Sequence, residues 1–287
     1  MNELEYLTKN LNPDVIAVSE VLPKNFKNTV YKEQFNIEGY DMIPHTNVEK
    51  NIGRGSIMYI KKDIPYKEVI LDSKFSNFEE VILAEINLNK NDRILCVNVY
   101  RRGESSELNT NLLLDIIDSI CNKKYSHIII MGDFNLKQIN WEESSCPGEN
   151  TEDFNHKFIE CIRDNFLFQH VTEPTRKRGQ DEPSTLDLIF TNEENMVKDL
   201  EYLPPLGRSD HSVIKFNIPC ARDIREPKII VKYEKGNYKE MNEELGQINW
   251  EEEFKQYPND VNRQWTVFST KFHELEKKIC PKEKCFH

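Results

Sequence analysis

A run of apolar residues, Ser126 to Met131 (SHIIIM), passes straight into the polar turn Gly132-Asp133-Phe134-Asn135. The run reads as a buried strand, and a buried strand must be covered by other layers on both faces. Strands and helices are mixed around it. Asp14-Val15-Ile16-Ala17-Val18-Ser19 is a β-branched run that reads as a second buried strand, ending at Glu20. It follows a short amphipathic helix (Leu4, Leu7, Leu11) that Asn12-Pro13 stops. Further strands are expected at 39–45, 55–61, 79–88, 93–100, 185–191, 196–202 and 211–217. Leu108, Leu112, Leu113, Ile116, Ile117 and Ile120 form one helical stripe over 106–121, and a second helix is expected at 152–165. Several strand pairs are spaced like hairpins. The pattern therefore predicts an α/β sandwich with largely antiparallel sheets rather than a strict βαβ winding.

Near Cys220 the texture changes. Residues 221–236 are polar and basic, with Pro227 and Gly236, and read as a linker carrying one strand (Ile229 to Tyr233). Beyond it, Val261, Trp265, Phe268, Phe272, Leu275 and Ile279 are spaced 4, 3, 4, 3, 4 between a start at Pro258-Asn259-Asp260 and a stop at Pro281. That seam is too short for an independent coiled coil, so it should dock onto something. The expected division is one domain over 1–220 and a linker with a helical connector over 221–287.

No stretch of about 18 apolar residues occurs, so no membrane span is expected. The N-terminus MNELEYLTKN has neither a basic n-region nor an apolar h-region, which argues against a signal peptide. The seven cysteines are odd in number and form no CxxC pair, which reads as free thiols in a reducing, intracellular compartment. Cys280, Cys285 and His287 could offer zinc ligands, but three candidates at a chain end make a poor site. Net charge is −11, all of it carried by residues 1–220, where 25 Lys+Arg face 36 Asp+Glu; residues 221–287 hold 13 of each. A protein of this balance that binds a polyanion must use local basic patches or metal ions rather than its overall field.

Four segments place an acid or an amide at or near the end of an apolar strand, where catalytic groups of α/β folds favour. Glu20, after its strand, can bind a hard cation at the rim of a sheet; alone it reads more simply as a solvated strand end. Asp133 and Asn135, two apart, point roughly the same way if the chain is extended, and Gly132 permits close approach to the backbone. Alone, that turn could be a self-stabilising Asx turn. Ser184-Thr185-Leu186-Asp187-Leu188-Ile189-Phe190-Thr191 holds an Asp inside an apolar strand. A buried carboxylate needs a partner, and a histidine is the obvious one; an edge Asp facing water is the alternative. Gly207-Arg208-Ser209-Asp210-His211 sets Asp beside His ahead of a strand. The His can move a proton at neutral pH and the Asp can bind a metal or position a water; a capped loop with a surface His is the bland alternative.

Together and in this order, the four segments resemble the endonuclease/exonuclease/phosphatase superfamily of metal-dependent phosphodiesterases and phosphomonoesterases, which includes apurinic endonucleases. The match spans roughly residues 1–220. Val171-Thr172-Glu173-Pro174-Thr175-Arg176, the Ser184–Thr191 strand and Pro205-Leu206-Gly207-Arg208-Ser209-Asp210-His211 resemble more narrowly the endonuclease domain of LINE-type (non-LTR) retrotransposons. Tyr238 to Trp250, with the helix through Val261, Trp265 and Phe268, resembles the connector that precedes the reverse transcriptase of such elements.

The resemblance implies a four-layer α/β sandwich of two packed mixed β-sheets flanked by helices, with a C-terminal helical extension. It also implies that the first strand is lacking, since relatives begin with a strand ending in an Asn and this chain starts at the helix after it. A strand lost from the interior of a sheet leaves unpaired backbone edges. The roles it implies are metal binding for Glu20 and Asp210, and handling of the water or leaving-group proton for Asp133. Asn135 would orient the phosphate, Asp187 would orient His211, His211 would act as base or touch the phosphate, and Tyr100 would lie near the scissile phosphate. The implied cofactor is Mg²⁺, with Mn²⁺ as the substitute. The implied partners are DNA and a reverse transcriptase domain in a longer parent protein, with no membrane, and the implied location is the nucleus. Arg101-Arg102 and Arg176-Lys177-Arg178 are the basic clusters expected to meet nucleic acid. The expected function is a Mg²⁺-dependent phosphodiesterase, a DNA endonuclease that nicks its target. The alternatives are a catalytically inactive, retrotransposon-derived interaction module and a phosphoesterase on RNA, lipid or inositol substrates.

Overall fold

The computed structural model describes residues 2–24, 31–50, 54–88, 92–123, 125–148, 150, 153–220 and 228–285. The chain divides into two compact units, Met1–Asp223 and Ile224–His287. Unit 1 runs α1 (Asn2–Leu11), β1 (Val15–Val18), β2 (Tyr40–Pro44), a short α2 (Thr46–Glu49), β3 (Ile57–Lys61), β4 (Tyr66–Glu68), β5 (Glu80–Asn87) and β6 (Arg93–Tyr100). It continues with α3 (Glu107–Cys121), β7 (His127–Asp133), α4 (Phe154–Asp164), β8 (Phe168–Gln169), β9 (Asp187–Thr191), β10 (Lys198–Leu203) and β11 (Val213–Asn217).

Six strands form the main sheet in the order β4-β5-β6-β7-β9-β8. It is mixed: β6 and β7 are parallel, and the other pairs are antiparallel. A parallel pair needs a crossover, and α3 supplies it. Side chains of β6 alternate as the pleat requires. Leu95, Val97 and Val99 enter one core with Leu113, Ile116, Ile117 and Ile120 of α3 and Phe158 and Ile162 of α4. Ile94 and Cys96 enter the other core with Met58 and Ile60 of β3, Ile189 of β9 and the half-buried Ile214 and Phe216 of β11. Both helices are capped at their N-termini: the Ser106 side chain accepts from the Asn109 amide and Asp153 from that of Asn155. A third apolar cluster joins Leu4 of α1 to Leu22, Phe35, Ile57 and Tyr59. The layers are therefore helix, sheet, sheet, helix.

The second sheet layer is in two antiparallel pieces, one of three strands in the order β1-β3-β2 and one of β10 with β11. All four residues of β1 are half-buried, not buried as their β-branched composition suggested. The reason is pairing: β1 bonds only to β3, and among the described residues no strand takes its other edge.

Gly132 is the close-packing point of the main sheet. Its φ is +139°, and a Cβ there would meet the Val99 carbonyl oxygen at 1.9 Å. Only glycine lets β7 close on β6 at this point.

Unit 2 holds β12 (Lys228–Val231), α5 (Tyr238–Gln247), α6 (Trp250–Phe254), α7 (Val261–Ile279) and β13 (Lys282–Cys285). The helix α7 has the bounds its seam predicted, and Trp250 of α6 meets Phe268 of α7 with ring centroids 5.3 Å apart. The strand expected at Ile229 to Tyr233 ends earlier, at Val231, and pairs with β13, which the sequence pattern did not announce. Residues 221–227 of the expected linker, and Phe286 and His287 of the C-terminal cluster, lie outside the described residues. Among the described residues no helix is long and apolar enough to cross a membrane.

Candidate active site

Strand register builds a row of polar residues at one end of the main sheet. Glu80 pairs with Tyr100 across β5 and β6, Tyr100 with Asp133 across β6 and β7, and Asp133 with Asp187 across β7 and β9. Residues in register on neighbouring strands face the same side. Tyr100 and Asp133 are the last residues of the two parallel strands, the end where sites in α/β folds gather.

The loop before β11 completes one side of the row. His211 Nδ1 is 2.8 Å from Asp187 Oδ2, so Asp187 is the carboxylate with a histidine partner rather than an edge residue facing water. The hub of this side is Thr175-Arg176. Arg176 makes backbone bridges to both Ser184 and His211, and the Ser212 amide donates to the Thr175 carbonyl. The Thr175 hydroxyl, fully buried, accepts from the amides of Leu186 (3.1 Å) and Asp187 (3.0 Å). Arg176 turns its Nε and Nη2 onto Asp210 Oδ2, both at 2.9 Å. Asp210 Oδ1 in turn lies 4.0 Å from His211 Nε2.

The other side gathers on Tyr100. Its hydroxyl donates to Glu20 and accepts from Arg54, and Arg54 is paired with the Glu20 carboxylate. Glu20 has φ +52° at the end of β1. Beneath Arg54, the buried Glu80 accepts from the Gly55 amide (2.9 Å), the Ser56 hydroxyl (2.7 Å) and the Asn47 side chain (2.9 Å). In the central turn, the Asn135 amide donates to Asp133 Oδ1 (3.1 Å), and Asn135 Nδ2 donates to the Arg101 carbonyl (2.8 Å). Asn135 has φ +53°. Non-glycine residues in this left-handed region persist where surroundings hold them, often at functional sites.

The electrostatics follow from this crowding. Burial pushes the Asp133 carboxyl up to about 7, and the Asp187 charge adds to the effect against His211 and the Asn135 hydrogen bonds. Burial alone would lower the His211 imidazole; the hydrogen bond and charge of Asp187, with Asp133 and Asp210, outweigh it and leave it raised. Burial would raise Asp210, but the Arg176 guanidinium holds it below the usual carboxylate range. Burial raises the Tyr100 phenol against the pull of Arg54.

The seven residues expected to carry chemistry, Glu20, Tyr100, Asp133, Asn135, Asp187, Asp210 and His211, are thus linked by register or direct contact. The basic clusters divide. Arg102, Lys177 and Arg178 are exposed, whereas Arg176 is committed to Asp210. Arg101 corrects the expectation of a nucleic-acid contact: it is 6% exposed, with Cζ 5.0 Å from the centroid of the Phe154 ring. Sequence reasoning gave no role to Arg54, Glu80 or Thr175. Glu80 did leave a sign, as an acid opening a strand whose later residues alternate inward. Among the described residues no three His, Cys, Asp or Glu side chains form a group that could hold a metal ion.

Residues 94–215 match the family model described as endonuclease-reverse transcriptase. The sequence matches no curated protein. Among solved structures, the endonuclease domain of TRAS1, a telomere-specific non-LTR retrotransposon, superposes with a TM-score of 0.56 at 15% identity, covering 77% of this chain and 92% of that one. The chain has the endonuclease/exonuclease/phosphatase fold. AP endonuclease LMAP from Leishmania major shares the fold with a TM-score of 0.55 at 15% identity, over 75% of this chain and 81% of its own. The 3′ phosphatase NExo from Neisseria, bound to product DNA hairpin, shares it at 0.52 and 12% identity, over 76% of this chain and 93% of its own. The site residues from Tyr100 to His211 lie within the matched stretch, and Glu80 and Glu20 reach it from outside.

Proposed function

We propose that unit 1 hydrolyses phosphodiesters in DNA, nicking one strand, as the endonuclease part of a retrotransposon or of a gene derived from one. The observation that carries the reading is the Asp187–His211 pair standing beside Asp133. With Nδ1–H held on Asp187, His211 presents Nε2 to a substrate, and Asp187 stabilises the imidazolium once a proton is taken. The Asp133 carboxyl, at about 7, is matched to proton exchange near neutral pH and would handle the proton of the attacking water or of the leaving oxygen. The Asn135 side chain donates to the Arg101 carbonyl and bonds the Asp133 carboxylate, and an N–H turned from Asp133 would orient a phosphate oxygen. Tyr100 and Arg54 bring a hydroxyl and a cation to the same end of the sheet.

The donor chemistry fits a hard divalent cation. Mg²⁺ binds through one or two carboxylates and keeps several waters, so it needs no three-residue cluster. Glu20 and Asp210, with side chains 48% and 33% exposed, would hold it. When bound, such an ion would neutralise phosphate charge and favour departure of the alkoxide. The pairing of Glu20 with Arg54 and of Asp210 with Arg176 favours a second reading, an inactive interaction module, because both carboxylates already have counter-charges.

Nicking of supercoiled plasmid by the purified chain separates the two. Conversion to open circles with Mg²⁺ or Mn²⁺, stopped by EDTA and reduced about 10²- to 10⁴-fold by His211→Ala, supports the nuclease. A folded, monodisperse chain that leaves the plasmid intact with either ion would overturn the DNA-nicking reading and favour the inactive module.

A further inference from the structure

The two arginines after β6 have opposite surroundings. Arg102 is exposed, while Arg101 is buried directly beneath the turn that carries Asp133 and Asn135. Arg101 touches each residue of that turn. Its amide donates to the Asp133 carbonyl (2.9 Å), its Nη1 donates to the Phe134 carbonyl (3.2 Å), and its carbonyl accepts from Asn135 Nδ2 (2.8 Å). The guanidinium lies over the Phe154 ring at the start of α4, so it ties the ends of β6 and β7 to that helix. Its Nε finds no hydrogen-bond partner among the described residues.

A guanidinium is a costly group to bury, and an apolar side chain would fill the space more cheaply. What it adds is a rigid planar donor that stacks on a ring and aims N–H groups in fixed directions. The turn needs such a hold, since Asn135 occupies the left-handed region.

We propose that Arg101 is a positioning residue. Its guanidinium, seated on Phe154, pins the Phe134 carbonyl and so fixes Asp133 and Asn135 on either side of it, without touching nucleic acid. The inference rests on the roles proposed above for Asp133 and Asn135.

Two variants test it. Arg101→Lys keeps the charge but loses the planar fork, and Arg101→Met keeps the apolar stem but loses the charge. The first readout is amide hydrogen exchange in the peptide spanning Phe134 to Leu136, which requires no activity. Exchange there should quicken about tenfold or more in both variants, while peptides of α3 keep their rates. The second is nicking: kcat should fall about 10- to 100-fold with KM within about twofold of the parent and an unchanged salt dependence. Arg102→Ala, on the surface, should give the reverse pattern of raised KM and near-parental kcat. Unchanged exchange at the turn in Arg101→Lys would overturn the proposal. So would a raised KM with a shallower salt dependence, the mark of a phosphate contact. If Arg101→Met does not fold, Phe154→Leu replaces it, with the same exchange pattern expected. A parent chain that folds but does not nick sinks the nuclease reading, and the exchange result alone then decides the role of Arg101.

Discussion

Asp133 is stabilised in its protonated form by the fold and, on the proposed mechanism, exchanges that proton. The folded carboxyl keeps its proton up to about pH 7, whereas in the unfolded chain it loses it near pH 4. The unfolded state therefore binds fewer protons between those values. The stability that Asp133 contributes is complete below about pH 4 and is lost as the pH rises through about 7. Asp133→Asn keeps the shape and removes the charge. It should stabilise the protein at pH 8 by about 2–4 kcal/mol, with the gain shrinking towards zero near pH 4, while nicking is lost. Thermal melts of both chains across that range measure this; a gain independent of pH would contradict the buried charge. Thr175 makes the opposite case. Thr175→Val keeps the volume and strands the amides of Leu186 and Asp187. A loss of about 2–6 kcal/mol in denaturant unfolding is expected, at about 1–3 for each of the two stranded donors. Asp187 should then hold His211 less well, and kcat should fall with stability.

Elements were legible where their periodicity was strong. The stripe of α3 (its first residue, Leu108, excepted) and the isoleucines of β7 reported their own burial, and these elements and α7 lie where the pattern put them; the α7 seam did not report a burial face, since Val261, Trp265 and Phe272 are exposed. The polar residues of the row were visible for a different reason, since each interrupts or ends an apolar run. Arg54 was not visible and Glu80 showed only as an acid opening a strand, because Arg54 is placed by its bridge to Leu22 and Glu80 by the register of β5 on β6. Arg101 misled because a pair of arginines after a strand reads as surface charge; only the Phe154 ring, brought by α4, makes its burial intelligible. The edge position of β1 was not legible in its own composition, as VIAV reads as an interior strand; only the expected loss of the first strand announced an unpaired edge. At this scale Gly132→Ala is the sharpest test. Its Cβ would have to displace the Val99 carbonyl from 1.9 Å at a φ of +139°, breaking the β6–β7 junction that places Tyr100 beside Asp133. The variant should lose more than about 4 kcal/mol, enough to unfold a typical domain. Circular dichroism that overlays on the parent's with an unchanged melting temperature would show that the junction is looser than its geometry.

Charge sets how the whole molecule meets a polyanion. At a net −11 the long-range field repels DNA, so binding must come from a few local contacts. Two arginines near the row, Arg54 and Arg176, are paired with Glu20 and Asp210, and Arg101 is buried. That leaves Lys177, Arg178 and Arg102, the last with its Nε a loose 3.9 Å from Glu79, as the exposed members of the expected basic clusters. If these three meet phosphates, log affinity should fall with log salt at a slope of about −2.7, or about 40-fold between 50 and 200 mM. A protein that relies on a broad basic face would show a far steeper slope. Lys177→Ala and Arg178→Ala should each flatten the slope by about 1 and weaken binding to all sequences alike, since phosphate contacts position without specifying. Fluorescence anisotropy on two unrelated duplexes over a salt series measures both quantities. A slope near zero for the parent would mean that these side chains do not touch the backbone. A loss confined to one duplex would make Lys177 or Arg178 a base contact instead.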